Sequence, residues 1–309
     1  MAYTHGVQWT DAKIDRLRQL SVLGYRAVDI AVILTAEFKE DITVTAVQQA
    51  KYKHPLTANF LELSGSGEVE YFEADTLPDD DYMISADAHC PYHSELYFNR
   101  LLMIADIFGI RKHVLVGDLF DSDWAKFWPA EEETSLDREI KHTNPVLNAL
   151  GRFEMNYLLQ GNHEDRINRQ TERKIQARHL FALYGNDAWK ASFRYTAYDK
   201  VFIGDSWMLV HPKSYSRIAP QVARQLAEKY HRNVINSHGH IVGMGFEKSG
   251  KFLCVDMGGM FDVRKISYIQ KHTTTHPLWG SGFGMLRNNK FWHFTDMTDW
   301  GYWEAQVKG

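Results

Sequence analysis

The stretch His113-Val114-Leu115-Val116, followed directly by Gly117-Asp118-Leu119-Phe120-Asp121, decides how this chain folds. Its first four residues form a short, bounded and largely apolar run, which suits a strand buried on both faces of a sheet. The same kind of run occurs four more times. These runs are Tyr82 to Ala86, Tyr157 to Leu159, Met208 to Val210, and Val234 to Ile235. Together they predict five buried strands of an α/β core.

Polar residues follow each of the five predicted strands. In chain order the clusters are Asp87-Ala88-His89, Gly117-Asp118-Leu119-Phe120-Asp121, Gly161-Asn162-His163-Glu164, His211, and His238-Gly239-His240. Loops held by a rigid sheet are where functional side chains collect. Carboxylates, imidazoles and an amide suit divalent ions, and two ions can share one carboxylate. A single such cluster would be explained by a polar residue in a turn or by an ordinary packed imidazole. Five clusters in order predict a metal site.

As a set, these motifs resemble those of the calcineurin-like metallophosphoesterases, whose pattern is D-x-H, G-D-x-x-D, G-N-H-E/D, H and G-H-x-H. The resemblance extends from about Tyr82 to His293. It implies an α/β (α+β) fold in which two mixed sheets pack together and are flanked by helices. One position departs from the pattern: Ser237 stands where the last motif usually has glycine. Serine is still small, so the ligand pair that follows it is kept.

The resemblance also implies a dinuclear metal centre. The first ion would be held by Asp87, His89 and His240, the second by Asn162, His211 and His238, and Asp118 would bridge the two. Mn²⁺ is the favoured ion, although Fe, Zn and Ni accept the same ligands. A relative that keeps the fold without metal is the alternative.

A reaction follows from that resemblance. Two cations about 3.5–4 Å apart clamp a phosphate and turn a bridging water into hydroxide, which attacks phosphorus in line. His163 resembles the catalytic histidine, and when protonated it would stabilise charge or protonate the leaving oxygen. Asp121 resembles the carboxylate that keeps this imidazole charged and aimed.

Residues 1–57 are predicted to form a separate helical module. A first helix begins at an N-cap near Thr10 and stops at Gly24, a second runs from Arg26 to about Ala36, and Thr43 caps a third. Three short helices with a tight turn resemble helix-turn-helix modules. The exposed face of a recognition helix would then carry Thr45, Gln48, Gln49 and Lys51.

Charge does not favour this DNA-binding interpretation. Residues 1–55 carry seven Lys or Arg and six Asp or Glu, whereas nucleic-acid modules are usually clearly basic. A trihelical oligomerisation or docking module therefore remains open. Residues 58–81 are predicted to form a linker, because they contain Ser64-Gly65-Ser66-Gly67 and an acidic stretch. Val69 to Phe72 within it are predicted to add an edge strand. The phosphoesterase-like domain would cover 82–309.

Positive charge is concentrated after the third motif. Arg166, Arg169 and Arg173 fall at helical spacing, with Lys174 and Arg178 beyond them, and such a stripe would steer a polyanionic substrate. Arg166 is a candidate catalytic residue that contacts phosphate, and Lys213 and Arg217 are candidates on the opposite loop. The alternative is a solvated helix face, partly neutralised by acidic neighbours.

The leading functional prediction is hydrolysis of phosphodiesters in DNA, that is, a nuclease. Two alternatives stay open: a phosphomonoesterase acting on nucleotides or phosphoproteins, and a DNA-binding regulator whose phosphoesterase domain is idle. The fold alone does not separate them. The order of modules also resembles that of proteins encoded by bacteriophages.

Composition is consistent with a cytoplasmic protein. A chain of 309 residues, 44% of them hydrophobic, is long enough for a sizeable core. The two cysteines, Cys90 and Cys254, give no disulfide framework, which fits a reducing compartment. No apolar stretch approaches the ~20 residues of a membrane span, and the first residues do not resemble a signal peptide.

Overall fold

The chain divides into two compact units, residues 1–72 and 73–309, in a computed structural model. The structure describes residues 7–22, 27–53, 74–125, 135–172, 174–175, 179, 181, 183, 190–266 and 278–308. Several predicted features lie outside these residues: Gly24, the Ser64–Gly67 and Val69–Phe72 segments, Arg173, Arg178 and the side chain of Lys51. Among the residues described, no helix is long and apolar enough to cross a membrane.

The first unit contains three helices, α1 (Asp11–Val22), α2 (Ala27–Phe38) and α3 (Val44–Lys53). The Thr10 hydroxyl accepts a hydrogen bond from the Lys13 amide, and the Thr43 hydroxyl accepts one from Ala46, so threonines cap α1 and α3. Each helix contacts the other two. The apolar residues between them form one core, made of Leu17, Leu20, Ile30, Ala31, Leu34, Ile42, Val47 and Ala50.

The second unit has the following elements. Its strands are β1 (Asp75–Leu77), β2 (Tyr82–Ser85), β3 (Lys112–Leu115), β4 (Met155–Leu158), β5 (Phe193–Tyr195), β6 (Lys200–Ile203), β7 (Trp207–Val210), β8 (Asn233–Asn236), β9 (Val242–Phe246), β10 (Leu253–Met257), β11 (Gly282–Arg287) and β12 (Lys290–Thr295). Its helices are α4 (Glu95–Phe108), α5 (Leu136–Leu150), α6 (Asn162–Gln170), α7 (Gln221–Tyr230) and α8 (Trp300–Lys308). Short 3₁₀ turns lie at Asp123–Ala125, Lys190–Ser192 and Val263–Lys265.

The strands form two mixed six-stranded sheets. One has the order β1-β6-β7-β8-β10-β9, and the other has the order β12-β11-β2-β3-β4-β5. Strands β2, β3, β4 and β5 run parallel, as do β7, β8 and β10, while β9, β11 and β12 join antiparallel. This architecture confirms the predicted α/β fold of two mixed sheets flanked by helices.

Alternation along the strands explains how both faces of each sheet become buried. In β2, Tyr82 and Ile84 belong to a core that also contains Leu209 and Val255 of the other sheet, whereas Met83 packs with α4. On the outer face of the first sheet, Met208 and Val234 pack with α7. The unit is therefore layered helix, sheet, sheet, helix, which accounts for the nearly continuous apolar runs in the sequence.

Each of the five predicted strands is present, within two residues of the predicted bounds. One strand was not expected: β1 lies inside the predicted linker and pairs parallel with β6 through Asp75–Leu77. Strand β1 belongs to the second unit, which spans residues 73–309. Of the three residues in β1, only Leu77 is buried. This strand therefore forms because it pairs with β6, and no apolar run in the sequence indicates it.

Candidate metal centre

The polar clusters converge where the strands end. Asp87 follows β2, Asp118 follows β3 and Asn162 follows β4, while His211 and His238 follow β7 and β8 of the other sheet. Each group of parallel strands presents its carboxyl ends at one edge, where α/β proteins bind their ligands. The loop backbones continue the pairing beyond the strands, because the amides of Asp87 and His89 donate to the carbonyls of Gly117 and Asp118.

Asp87, His89 and His240 form a first group able to hold a cation, with ligand atoms within 4.8 Å of one another. The Nε2 atoms of His89 and His240 are 3.1 Å apart. His240 Nε2 lies 3.3 Å from Asp87 Oδ1, and His89 Nε2 lies 4.0 Å from that same oxygen. Two ring nitrogens and a carboxylate oxygen thus point at one spot, as the predicted first site requires.

Asp118, His211 and His238 form a further group within the same limit. His211 Nε2 lies 3.2 Å from Asp118 Oδ2 and 3.0 Å from the amide oxygen of Asn162. Asp118 also belongs to a group with His89 and His163. The structure therefore brings all seven predicted ligands together and puts Asp118 between the two sets, the arrangement expected of a shared ligand.

Two carboxylate oxygens show that these residues fit cations. Asp87 Oδ1 and Asp118 Oδ2 are buried, and no donor among the residues described meets them in hydrogen-bonding geometry. The Nε2 atoms of His240 and His211 lie 3.3 and 3.2 Å away. A buried oxygen without a donor costs free energy unless a cation or other partner compensates it. Both oxygens face the imidazole nitrogens named above. The donor set of carboxylates, imidazoles and one amide suits first-row divalent ions.

Outer contacts orient the histidine ligands. His89 Nδ1 donates to Asp121 Oδ1 at 2.9 Å, and His211 Nδ1 lies 3.0 Å from the carbonyl oxygen of Val116. Each bond places the ring proton on Nδ1 and leaves the Nε2 lone pair for a cation. Ser237, the residue that departs from the resembled pattern, adds to this: its hydroxyl donates to Val116 O and lies 2.9 Å from His211 Nδ1.

The ligand loops depend on unusual backbone conformations. Asp87, His89, Asp118, His238 and His240 all have φ between 46° and 73°, a left-handed region that non-glycine residues adopt at some cost. Such strain persists where surrounding contacts hold the loop, and here close packing at two glycines and hydrogen bonds to Glu164 hold it.

Two glycines let the loops approach each other. A Cβ at Gly117, where φ is +76°, would lie 2.5 Å from His211 Nδ1. A Cβ at Gly161 would lie 2.1 Å from Asp118 Oδ1 and 2.4 Å from the Asp118 amide nitrogen. Only a residue without a side chain fits at either place.

Glu164 ties the loops together and was not predicted as a functional residue. Its buried carboxylate accepts hydrogen bonds from the amides of Asp118, Phe120 and Gly161, at 2.9, 3.1 and 2.8 Å. Burial, together with the charge of Asp118, raises the pKa of Glu164 to about 7. The Gly-Asn-His-Glu motif contained the residue, but its role depends on a loop 46 residues earlier in the chain.

The charges of the cluster stabilise one another. Burial opposes ionisation of Asp87 and Asp118, yet the neighbouring imidazoles outweigh it and lower the pKa of both carboxyls. Burial likewise opposes protonation of His89 and His211, but the acidic neighbours raise their pKa to about 9 and about 10. In the absence of metal, protons thus occupy part of the place that cations would fill.

The surroundings of His163 differ from the prediction. His163 Nδ1 lies 2.6 Å from the backbone oxygen of Asp121, while the Asp121 carboxylate is farther away, at 3.4 Å, and bonds to His89. Burial lowers the pKa of His163 to about 4, against the opposing charge of Asp118. This pKa favours the neutral imidazole, whereas the predicted role requires a charged one. Asp121 aims it through its main chain.

Arg166 supplies the permanent positive charge beside His163. Its guanidinium donates to the backbone oxygen of Asp121 at 3.0 Å and lies 3.3 Å from His163 Nε2. Arg166 also lies 3.5 Å from the Asp123 carboxylate, and its side chain is mostly buried. The loop that follows β3 thus holds this arginine beside His163. Its predicted contact with phosphate stays a prediction.

The other predicted nucleic-acid contacts that the structure describes are exposed residues. Arg169 is exposed and pairs with Asp165 on the same helix, which matches a solvated helix face. Thr45, Gln48 and Gln49 are exposed on α3. Lys213 and Arg217 are exposed in the loop after β7, and Lys213 lines a cavity of about 240 Å³ beside Asn162 and His211.

Comparisons with known proteins leave the function open. No known family and no curated protein matches the sequence. Similar solved structures include YfcE, a phosphoesterase from E. coli, with 13% identity, a TM-score of 0.32, and coverage of 68% of this chain and 90% of that one. Vacuolar Protein Sorting 29 from Cryptosporidium parvum has 15% identity, a TM-score of 0.34, and coverage of 70% and 96%. The Pseudomonas putida nuclease MPE has 12% identity, a TM-score of 0.30, and coverage of 69% and 87%.

These likenesses are too distant to support an activity. The three proteins are also named for different roles. The functional argument therefore depends on the residues of the site.

Proposed function

We propose that this protein is a phosphoesterase that requires two divalent metal ions and hydrolyses phosphodiesters, acting as a nuclease on DNA. The observation that carries the proposal is the convergence of two ligand groups on Asp118, with an unsatisfied oxygen on Asp87 and another on Asp118. Asp87, His89 and His240 would hold one ion, and Asn162, His211 and His238 the other. Mn²⁺ is the favoured ion.

When bound, two divalent cations supply a nucleophile derived from water at neutral pH and neutralise the charge of the phosphate. The protein's part is to hold the ligands in place before substrate arrives. Glu164 fixes the Asp118 and Gly161 loops relative to each other. Asp121 and Val116 hold the rings of His89 and His211 in the orientation that leaves Nε2 free.

His163 and Arg166 would act on the phosphate and the leaving group. A neutral His163 accepts a hydrogen bond from Arg166 through Nε2, so this pair presents the arginine charge beside the site. Charge that develops on the phosphate oxygens would be stabilised by that guanidinium. Departure of the leaving oxygen needs a proton. Once Arg166 turns to the phosphate, the free Nε2 of His163 would take a proton from the attacking water and pass it to the leaving oxygen.

Preference for a nucleic-acid diester is supported by exposed cations. Lys213 lies at the cavity beside Asn162, and Arg217 is exposed on the same loop. Exposed Thr45, Gln48 and Gln49 on α3 are available for DNA, but the near-neutral charge of that unit suits docking equally well.

The test is turnover of bis-p-nitrophenyl phosphate and p-nitrophenyl phosphate by metal-stripped protein after Mn²⁺ is added back. The proposal predicts Mn²⁺-dependent turnover with the diester preferred, followed by cleavage of DNA. Preference for the monoester would favour a phosphomonoesterase. No turnover of either substrate, with metal bound, would contradict the enzyme proposal and favour an idle domain.

A further inference from the structure

The loop formed by residues 212–220 leaves an aromatic side chain exposed beside the metal ligands. It connects β7 to α7 and begins directly after His211. Tyr215 is 67% exposed, and its ring centroid lies 6.3 Å from that of His238 at an interplanar angle of 75°. One edge of the tyrosine thus meets a candidate ligand while much of the ring stays open to solvent.

Both ends of this loop are fixed, and only its middle is exposed. At the first end, the His211 amide donates to Asp199. At the other end, a Cβ on Gly243 of β9 would lie 2.5 Å from Ala219 Cβ, so the loop packs against that strand. The Ser216 carbonyl lies beside Gly239, between the ligands His238 and His240. The exposed tyrosine is therefore presented by an anchored loop at the rim of the site.

Two cations flank the tyrosine in the sequence Lys213-Ser214-Tyr215-Ser216-Arg217. Both are exposed, and within the described part of the chain neither lies within 4.0 Å of a carboxylate. Lys213 also lines the cavity next to Asn162 and His211. The loop thus offers one flat apolar face between two positive charges, the combination by which proteins hold single-stranded nucleic acid.

We propose that the 212–220 loop is a binding subsite for an unpaired nucleotide, in which Tyr215 stacks on the base while Lys213 and Arg217 hold the neighbouring phosphates. This inference deepens the proposed function and rests on it. The bases of a duplex are already stacked on both faces, so the ring gains contact only with an unpaired or frayed base. The substrate class is therefore single-stranded DNA or an unpaired end.

The size of the effect follows from stacking. Base–aromatic stacking contributes about 1–3 kcal/mol per base, which corresponds to roughly 5- to 150-fold in affinity. Tyr215→Ala should weaken binding of a single strand within that range, and Tyr215→Phe should restore most of it because the ring remains. Turnover of bis-p-nitrophenyl phosphate, which has no base, is measured for each variant, so that a loss through the ring contact with His238 is separated from the loss of stacking. Tyr302→Ala removes another exposed tyrosine, 57% exposed on α8, and serves as the matched control.

The experiment measures binding of a fluorescein-labelled single strand by anisotropy with metal-stripped protein, and KM for the same strand with Mn²⁺. A blunt duplex and a strand with one abasic position complete the set. The proposal predicts that Tyr215→Ala loses affinity for the intact strand but not for the abasic strand or the duplex. Replacing Lys213 and Arg217 by alanine should lower the slope of log affinity against log salt by about 0.7 per cation removed.

The failures are distinguishable. If the protein hydrolyses bis-p-nitrophenyl phosphate but neither binds nor cleaves oligonucleotides, the nucleic-acid part of the proposed function fails and the subsite fails with it. If oligonucleotides are cleaved and Tyr215→Ala binds the single strand as tightly as the wild type, only the subsite is overturned. A change in assembly mass with unchanged DNA affinity would likewise overturn it and mark Tyr215 as a protein contact.

Discussion

Replacing Gly161 by alanine should disable the metal centre without requiring a strained backbone. Gly161 has φ −91° and ψ −178°, a conformation open to any residue. The added Cβ would nevertheless lie 2.1 Å from Asp118 Oδ1, whereas real Cβ atoms essentially never come closer than 3.0 Å. Asp118 and the Gly161 loop must therefore separate by about 0.9 Å. The two shortest contacts would both be to the candidate bridging ligand, and a third, at 2.8 Å, would be to Glu164 Oε2.

A displacement of this size has a predictable consequence. Misplacing a catalytic group by about 1 Å costs on the order of 10²-fold in rate, and disturbing the support of a ligand weakens metal affinity by about 10- to 100-fold. We expect Gly161→Ala to lose diester turnover by about that first factor. Metal affinity, measured by Mn²⁺ titration calorimetry, should fall by the second.

Gly239→Ala is the matched control. This glycine lies between His238 and His240, yet its added Cβ would meet nothing closer than 3.7 Å. It should keep metal affinity and turnover within a few-fold of the wild type, with thermal unfolding of both metal-free variants confirming that they fold. If Gly161→Ala binds Mn²⁺ and turns over substrate as Gly239→Ala does, the close approach of the two loops is not required by the site, and the reasoning is refuted.

Three further predictions concern other parts of the molecule. His163→Ala should keep both metal ions but lose about 10²–10⁴ in rate, less on substrates with good leaving groups; an equal loss on good and poor leaving groups would indicate charge stabilisation instead. Burial lowers the pKa of His113 to about 4 from 6.5. The contribution of this residue to the free energy of unfolding is therefore fully present above pH 6.5 and falls by about 3 kcal/mol as the pH drops to 4. Urea unfolding of metal-free protein should show a weaker pH dependence in His113→Gln than in the control His142→Gln, and equal slopes would contradict this. Deleting residues 1–57 should leave turnover of small diesters unchanged and weaken duplex binding and its salt dependence; a changed mass in light scattering with unchanged DNA affinity would identify a docking module.

The sequence predicted the fold and the convergence of ligands for a physical reason. Strands buried on both faces produce short apolar runs, and the ends of parallel strands meet at one edge. Asp87 and Asp118 could therefore be placed together, although they are far apart in the chain. The resemblance to a known pattern then specified which residues would be ligands, and the structure brings those residues together.

What the sequence did not reveal depends on contacts between distant loops. The Asp121 carboxylate bonds to His89 and not to His163, because the backbone of the β3 loop occupies the place next to His163. The role of Glu164 in holding the loops could not be predicted, because the three amides that donate to it belong to two different loops. Strand β1 formed from an acidic segment because β6 offered a free edge. Propensity and spacing carry no information about such pairings.

The most direct test of the account is the metal content of Asp118→Asn. Asp118 lies between the two ligand groups, so both ions should depend on it. Asp256→Asn is the control, because Asp256 is also buried but accepts a hydrogen bond from Asn236 and belongs to none of the ligand groups formed by the described residues. Mn²⁺ titration with elemental analysis should give two ions per chain in the wild type and in Asp256→Asn, and neither ion in a folded Asp118→Asn. Two ions at full occupancy in Asp118→Asn would contradict the shared-ligand centre on which the proposed function rests.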